Sequence, residues 1–147
     1  MRADGLFSGD FRNLTLEYGN RYKEVAAGYR PDNVNKWTMF VKIADNEGIR
    51  ADRLIRKVRY YLCEGFAHEY RDIFPDKNGR FEMTYVGWGT FEVEIEVHFK
   101  KELGMAEALE LSHELVFDGA GDWSTINLPV KKENLSKVTG TAQKKWK

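Results

Sequence analysis

Gly87-Trp88-Gly89 carries the clearest chemical signal in the sequence. An indole between two glycines is poorly placed for core packing. It is well placed as one wall of a binding slot at the end of a sheet, because glycine accepts unusual backbone angles and weakens a strand where it stands. A second constellation is Cys63 with His68 five residues on, the residue types of an activated thiol. No orienting third group and no oxyanion loop accompany it, so no enzyme is expected and Cys63 reads as a partly buried, inert thiol. The three histidines, His68, His98 and His113, have no metal-ligand spacing. Neither a metal nor a cofactor is expected, and His113 reads as a structural histidine on the inward face of a strand.

The elements that must hold these residues are strands. From Phe91 the side chains alternate strictly: Phe91, Val93, Ile95, Val97 and Phe99 on one face, Glu92, Glu94, Glu96, His98 and Lys100 on the other. A period of two marks a half-buried strand, here the longest in the chain. The same alternation predicts strands at Leu14–Tyr18, ending at Gly19-Asn20, at Trp37–Ile43, at Val58–Leu62, at Phe81–Tyr85 and at Leu109–Phe117. Short strands are expected near Tyr22–Tyr29 and Ser124–Leu128. Pro75-Asp76-Lys77-Asn78-Gly79 is a turn signal. Helical character is confined to a turn within Ile49–Lys57 and a turn within Leu103–Leu111. Cys63–Arg80 reads as a long, aromatic-bearing connection, the kind of loop that often binds. Six or more strands without βαβ spacing predict an all-β antiparallel sandwich.

Composition sets outer bounds. The 147 residues fit one domain with a core that needs no staples, and one cysteine allows no intrachain disulfide, which suits a reducing compartment. No apolar run approaches the ~20 residues of a membrane span, and the first residues lack the apolar stretch of a signal peptide, so no membrane partner is expected. Formal net charge is zero, which argues against bulk electrostatic binding of nucleic acid. The charge is uneven, however. Phe91–Asp118 holds eight acids against two lysines, and Pro129–Lys147 holds six lysines against one acid. The first is a solvated face or a site for a basic partner. The second is a polar end or a weak contact for DNA phosphate. The expected organisation is an N-terminal extension over 1–11, a domain over 12–120 and a basic C-terminal extension over 121–147.

Arg80–Phe91, RFEMTYVGWGTF, resembles the signature of YEATS domains, usually close to PFEVTETGWGEF. Trp37-Thr-Met-Phe-Val-Lys resembles the W-x-V-F-V segment of that family, and Val58–Phe66 its V-x-F-x-L-H-x-S-F/Y segment. Leu14–Asn20 is similar to its first strand and Leu111–Phe117 to its closing one. The resemblance runs from about residue 12 to about 120. It implies an immunoglobulin-like sandwich in the nucleus that reads acetylated or crotonylated lysine on histone tails, H3 foremost, within a chromatin or transcription complex. It also implies site residues. Phe66 and Trp88 match two rings that clamp the acyl-amide. Gly87 and Gly89 flank the backbone N–H that meets the acyl carbonyl. Gly65 stands where the family has a serine that bonds the amide, and Cys63 where it has a histidine, so these two line the entrance. Asn33 replaces a small aromatic or histidine. Glu64, Glu69 and Glu114 are acids for basic residues flanking the target lysine.

Two rival readings keep the fold. One is a scaffold subunit whose pocket is lost, on the strength of Cys63 and Gly65. The other is a methyl-lysine cage, although such cages usually want more rings and a nearby acid.

Overall fold

In the computed structural model, residues 9–25, 35–62, 69–87, 89–105 and 108–140 are described. Eight strands form two four-stranded antiparallel sheets. One sheet has the order β5-β2-β1-β8, built from β1 (Phe11–Glu24), β2 (Asn35–Ile43), β5 (Met83–Gly87) and β8 (Gly121–Lys131). The other has the order β4-β3-β6-β7, built from β3 (Ile55–Tyr61), β4 (Tyr70–Ile73), β6 (Glu92–Phe99) and β7 (Leu109–Glu114). The antiparallel sandwich expected from the alternation, immunoglobulin-like as the resemblance implies, is the fold. The inward rows Leu14, Leu16, Trp37, Met39, Val41, Val58, Tyr60, Val93, Ile95 and Val97 are all buried between the sheets, and burying such apolar surface is the main driving force for a fold of this kind.

Four details differ from the sequence expectation. β1 does not stop at Gly19-Asn20 but runs 14 residues to Glu24, and it, not β6, is the longest strand. Gly19 is there for a close approach of two chains: a Cβ on it would lie 2.3 Å from the Asp122 carbonyl oxygen, at φ +155°. Next, the 63–80 connection is not one loop, because β4 forms within it and pairs with β3. Third, the helical turns are single 3-10 turns at Ala51–Arg53 and Lys101–Leu103. Fourth, the sandwich continues past residue 120. β8 pairs with β1 from Phe11↔Lys131 to Arg21↔Gly121, and its middle is the strand expected near Ser124–Leu128. Helix α1 (Lys132–Thr139) then seats Leu135 in the core, while Asn134 Nδ2 donates to the Leu103 carbonyl at 3.0 Å. No described helix is long and apolar enough to cross a membrane.

A polar tie crosses the sandwich. Asn20 is fully buried; its Oδ1 accepts from His113 Nε2–H at 2.7 Å and from the Val116 N–H at 3.0 Å. Its Nδ2 donates to the carbonyls of Val116 at 3.0 Å and Arg21 at 3.2 Å. His113 is thus a structural histidine, its Nε2–H bonded to Asn20, as its place in the alternation predicts. Burial holds its pKa below the ordinary value, against the opposing pull of Asp122 and Glu114.

Candidate functional site

The pairings decide which loops share an end. Asn35 at the start of β2 pairs with Gly87 at the end of β5, and Glu24 at the end of β1 pairs with Asn35. In the facing sheet, Tyr61 at the end of β3 pairs with Tyr70 at the start of β4 and with Glu94 near the start of β6. The two ends coincide. Trp37 of β2 meets Phe91, just before β6, edge to face at 5.8 Å, and Tyr22 of β1 stacks on Phe117, beyond β7, at 5.3 Å. The described stems of the stretches 26–34, 63–68 and 88 therefore gather at one end of the sandwich.

Each stem is braced. The Leu62 N–H donates to the Glu69 carbonyl at 2.7 Å, closing the chain at both ends of 63–68. Tyr22 OH donates to Asn35 Oδ1 at 2.8 Å. Beneath Gly87 lies the buried Trp37 indole, held by the Tyr85 ring at 5.5 Å and by Phe91. A Cβ on Gly87 would come no nearer than 3.6 Å to Trp37 Nε1, and one on Gly89 would meet open space. Gly87 does not have a positive φ. The left-handed backbone that its sequence suggests is therefore not what a glycine supplies at 87. Glu69 and Glu114 are exposed at this same end. Asn33, Cys63, Glu64, Gly65, Phe66 and Trp88 lie outside the described residues, as does His68.

Beside the 63–68 stem stands a cluster that the sequence reading missed. The Arg59 guanidinium sits 4.0 Å from the Tyr70 ring centroid, and Tyr61 lies 5.9 Å from Tyr70. Arg59 also grips Asp72 with two bonds, Nε to Oδ1 at 2.7 Å and a terminal nitrogen to Oδ2 at 2.9 Å. Lys57 approaches the same carboxylate at 3.4 Å. Charge-assisted forked pairs of this kind are geometrically specific. The signal was available: Tyr70 and Asp72 alternate with Arg71 and Ile73, but four residues are too few to stand out beside longer strands. The cluster ties β3 to β4 beside the described stem of 63–68.

It also makes an acid-stability prediction. The Arg59 bonds hold the Asp72 carboxyl down to about 2 from 3.8, with burial opposing and Lys57 assisting. A folded pKa below the unfolded one adds stability that is full above about pH 4 and is lost as pH falls toward 2. Urea midpoints followed from pH 6 to pH 2 are expected to fall less steeply across that window in Asp72→Asn than in the wild type. Parallel curves for the two proteins would remove Asp72 from the account.

Among the described residues no group of His, Cys, Asp and Glu could hold a metal ion. The profile of the YEATS family matches residues 32–119. The chain is 33% identical over 89 residues to the AF-9 homolog of Saccharomyces cerevisiae, covering 58% of this chain and 37% of that protein. It is 27% identical over 129 residues to the AF-9 homolog of Candida glabrata, covering 85% of this chain and 54% of that one. It thus spans about half or less of the length of the curated relatives it matches. Among solved structures, the Yaf9 YEATS domain bound to H3K27ac superposes with a TM-score of 0.71 at 25% identity, covering 89% of this chain and 94% of that one. The Yaf9 YEATS domain recognising an H3K122suc peptide gives 0.70 at 25% identity, covering 88% and 94%. The match spans β2 through the residues after β7, and with it the stems around Gly87: this chain belongs to the YEATS family.

Proposed function

We propose that this domain is a reader of acylated lysine on histone tails, H3 first among them, and that the residue clamp lies at the loop end of the sandwich. The observation that carries the reading is the gathering of three braced stems at one end, in a family whose Yaf9 member is solved with acylated H3 peptides. Phe66 and Trp88 are the rings of the clamp, the backbone N–H at Trp88 is the donor to the acyl carbonyl, and Gly65 and Cys63 line the entrance. Glu64, Glu69, Asn33 and Glu114 face the basic residues beside the target lysine. The physics favours an acylated side chain over a bare one. Acylation removes the charge, so no hydrated ammonium is stripped on entry, and the planar amide offers one face to each ring. Such a domain works in the nucleus as a non-enzymatic subunit of an acetyltransferase, remodelling or transcription complex, with its basic C-terminal end available for weak DNA contact.

One observation favours a second reading. Gly65 and Cys63 stand where the family resemblance calls for a serine and a histidine, which suits a scaffold whose pocket no longer reads. A neutral side-chain hydrogen bond is worth about 0.5–1.5 kcal/mol net, and ~1.4 kcal/mol is a decade of affinity. Its loss weakens reading by roughly two- to tenfold without removing the ring clamp, so the reader comes first. The smaller residues also leave room for a longer acyl group such as crotonyl.

The deciding experiment is a calorimetric titration with H3-tail peptides carrying unmodified, acetylated, crotonylated and trimethylated lysine. Acyl-dependent binding, with crotonyl at least equal to acetyl, is expected. Equal and negligible binding of all four supports the scaffold, and preference for trimethyl-lysine supports a cage. Acetyl ahead of every longer acyl ends the argument from room at Gly65 and Cys63 alone.

A further inference from the structure

A basic, concave surface starts at the end of the sandwich opposite the braced stems and runs up the outer face of β2. One cavity of about 460 Å³ opens between the outer face of β2 and the turn before β5, lined by Arg21, Lys42 and Arg80. A second, of about 590 Å³, opens between the start of β1, the segment 47–53 and α1, lined by Arg12, Arg53 and Lys132. Gly48, Ile49 and Arg50 line both, so the two adjoin and form one basic surface, a two-part trough. Seven Lys or Arg side chains line it against three carboxylates, Asp45, Glu47 and Glu82. Those carboxylates pair with Lys42, Arg12 and Arg21, and Arg50 pairs with Asp52. Arg53 and Lys132 make no ion pair among the described residues, so a cationic excess persists in the chain as folded.

At the upper lip the trough meets aromatic surface. Phe40 lines it, with the Arg21 guanidinium 5.3 Å above its ring. Trp123 meets Phe40 at 6.1 Å and is 47% exposed, among the largest exposed apolar side chains described. Gly19 and Gly121 fix its strand. Each has positive φ, and a Cβ on either would run into the neighbouring backbone at 2.3 or 2.1 Å. The indole thus stands beside Phe40 on the outer face of the sheet, up β8 from Lys131.

A channel of cations that tracks a backbone, with an exposed ring beside it for an unstacked base, is the arrangement that binds single-stranded nucleic acid. We infer that this trough binds single-stranded nucleic acid, with phosphates along Arg50, Arg53 and Lys132 and a base against Trp123. A duplex fits less well, since its bases are stacked away from any side-chain ring and it would gain nothing from the indole. An acidic peptide would engage the cations but not the ring. Arg50, Arg53 and Lys132 lie at the end away from the proposed lysine clamp, where β1 begins and β8 ends, so both ligands fit at once and the inference stands whether or not the clamp reads acyl-lysine.

The test is fluorescence anisotropy of the whole chain with labelled 20-nucleotide oligo-uridine, oligo-thymidine, a duplex of the same length and poly-glutamate. The single strands are expected to bind at 50 mM salt and to lose roughly ten- to thirtyfold in affinity by 200 mM, given a slope of about −0.7 per neutralised phosphate and a net excess of about three cations, Arg53, Arg80 and Lys132. Arg53→Glu combined with Lys132→Glu is expected to lower affinity at least tenfold, and Trp123→Ala about three- to tenfold. Amide shifts on adding oligo-uridine are expected at 48–53 and 132–139, which reports the site even if Trp123→Ala melts early. Absence of single-strand binding overturns the inference. So does duplex or poly-glutamate binding of equal strength that ignores Trp123→Ala.

Discussion

Asn20→Ala is expected to cost roughly 2–4 kcal/mol of folding stability, because the substitution strands several buried polar groups at about 1–3 kcal/mol for each left unsatisfied. The groups are named by the geometry: the His113 ring N–H, the N–H and carbonyl of Val116, and the Arg21 carbonyl all lose the same partner. Partial access of water brings the total below the simple sum. For a domain of about 150 residues this corresponds to a melting point lower by roughly 5–15 °C, at about 2–4 °C per kcal/mol. Calorimetry on the purified variant checks it, and a loss under about 1 kcal/mol would mean that the tie is not a stabilising element. A double variant with His113→Leu is expected to lose less than the sum of the single changes, since the orphaned imidazole is then gone. The wild type carries a linked pH signature. The His113 pKa is depressed in the fold from 6.5, mainly by burial, so the unfolded chain takes up that proton first. Stability from this site is full above about pH 6.5 and falls as pH drops below it. In the double variant that part of the slope disappears.

The same residue explains where the sequence was legible. Side-chain alternation encodes burial, and burial of one face is what a sandwich strand requires. Leu14, Leu16, the row from Trp37 to Ile43 and the row from Val93 to Val97 could therefore be placed facing inward without any structure, and all lie in the core. Gly19-Asn20 misled because glycine and asparagine are also turn residues. Here the glycine makes room for β8, and the asparagine is a buried hub, which only the partner strand reveals. β4 escaped because a four-residue edge strand has too little alternation. The extent of β8 escaped because Trp123, Thr125 and Asn127 show the polar or exposed side of a strand whose buried side is Ile126, Leu128 and Val130. At the site, motif order placed the family and the end of the sandwich. Gly87 has no positive φ and its described surroundings tolerate a methyl group, so any need for glycine at 87 comes from a ligand and not from backbone strain.

That distinction sharpens the second large effect. On the proposed reading, Trp88→Ala lowers affinity for an acylated H3 peptide by at least tenfold, since it removes an aromatic contact worth about 0.5–1.5 kcal/mol beyond the apolar area it buries. Phe66→Ala acts in the same direction and to a similar degree. Gly87→Ala separates recognition from folding. Its Cβ would sit at ordinary contact distance from Trp37 Nε1, and alanine is less costly than glycine in a strand by roughly 0.5–1 kcal/mol. Its melting point is thus expected to hold or rise while peptide affinity falls, if the backbone at 87–89 closes against the acyl group. The converse change is Gly65→Ser, which supplies a side-chain hydroxyl at the entrance. It is expected to tighten acetyl-peptide binding by roughly two- to tenfold, the worth of one neutral hydrogen bond. A scaffold with a dead pocket responds to none of the four substitutions. A reader whose clamp lies elsewhere binds acyl-peptide normally in Trp88→Ala and Phe66→Ala. Loss of binding in those two, kept stability in Gly87→Ala and a gain in Gly65→Ser together admit only a lysine held between the two rings, with its amide against the backbone of residues 87–89.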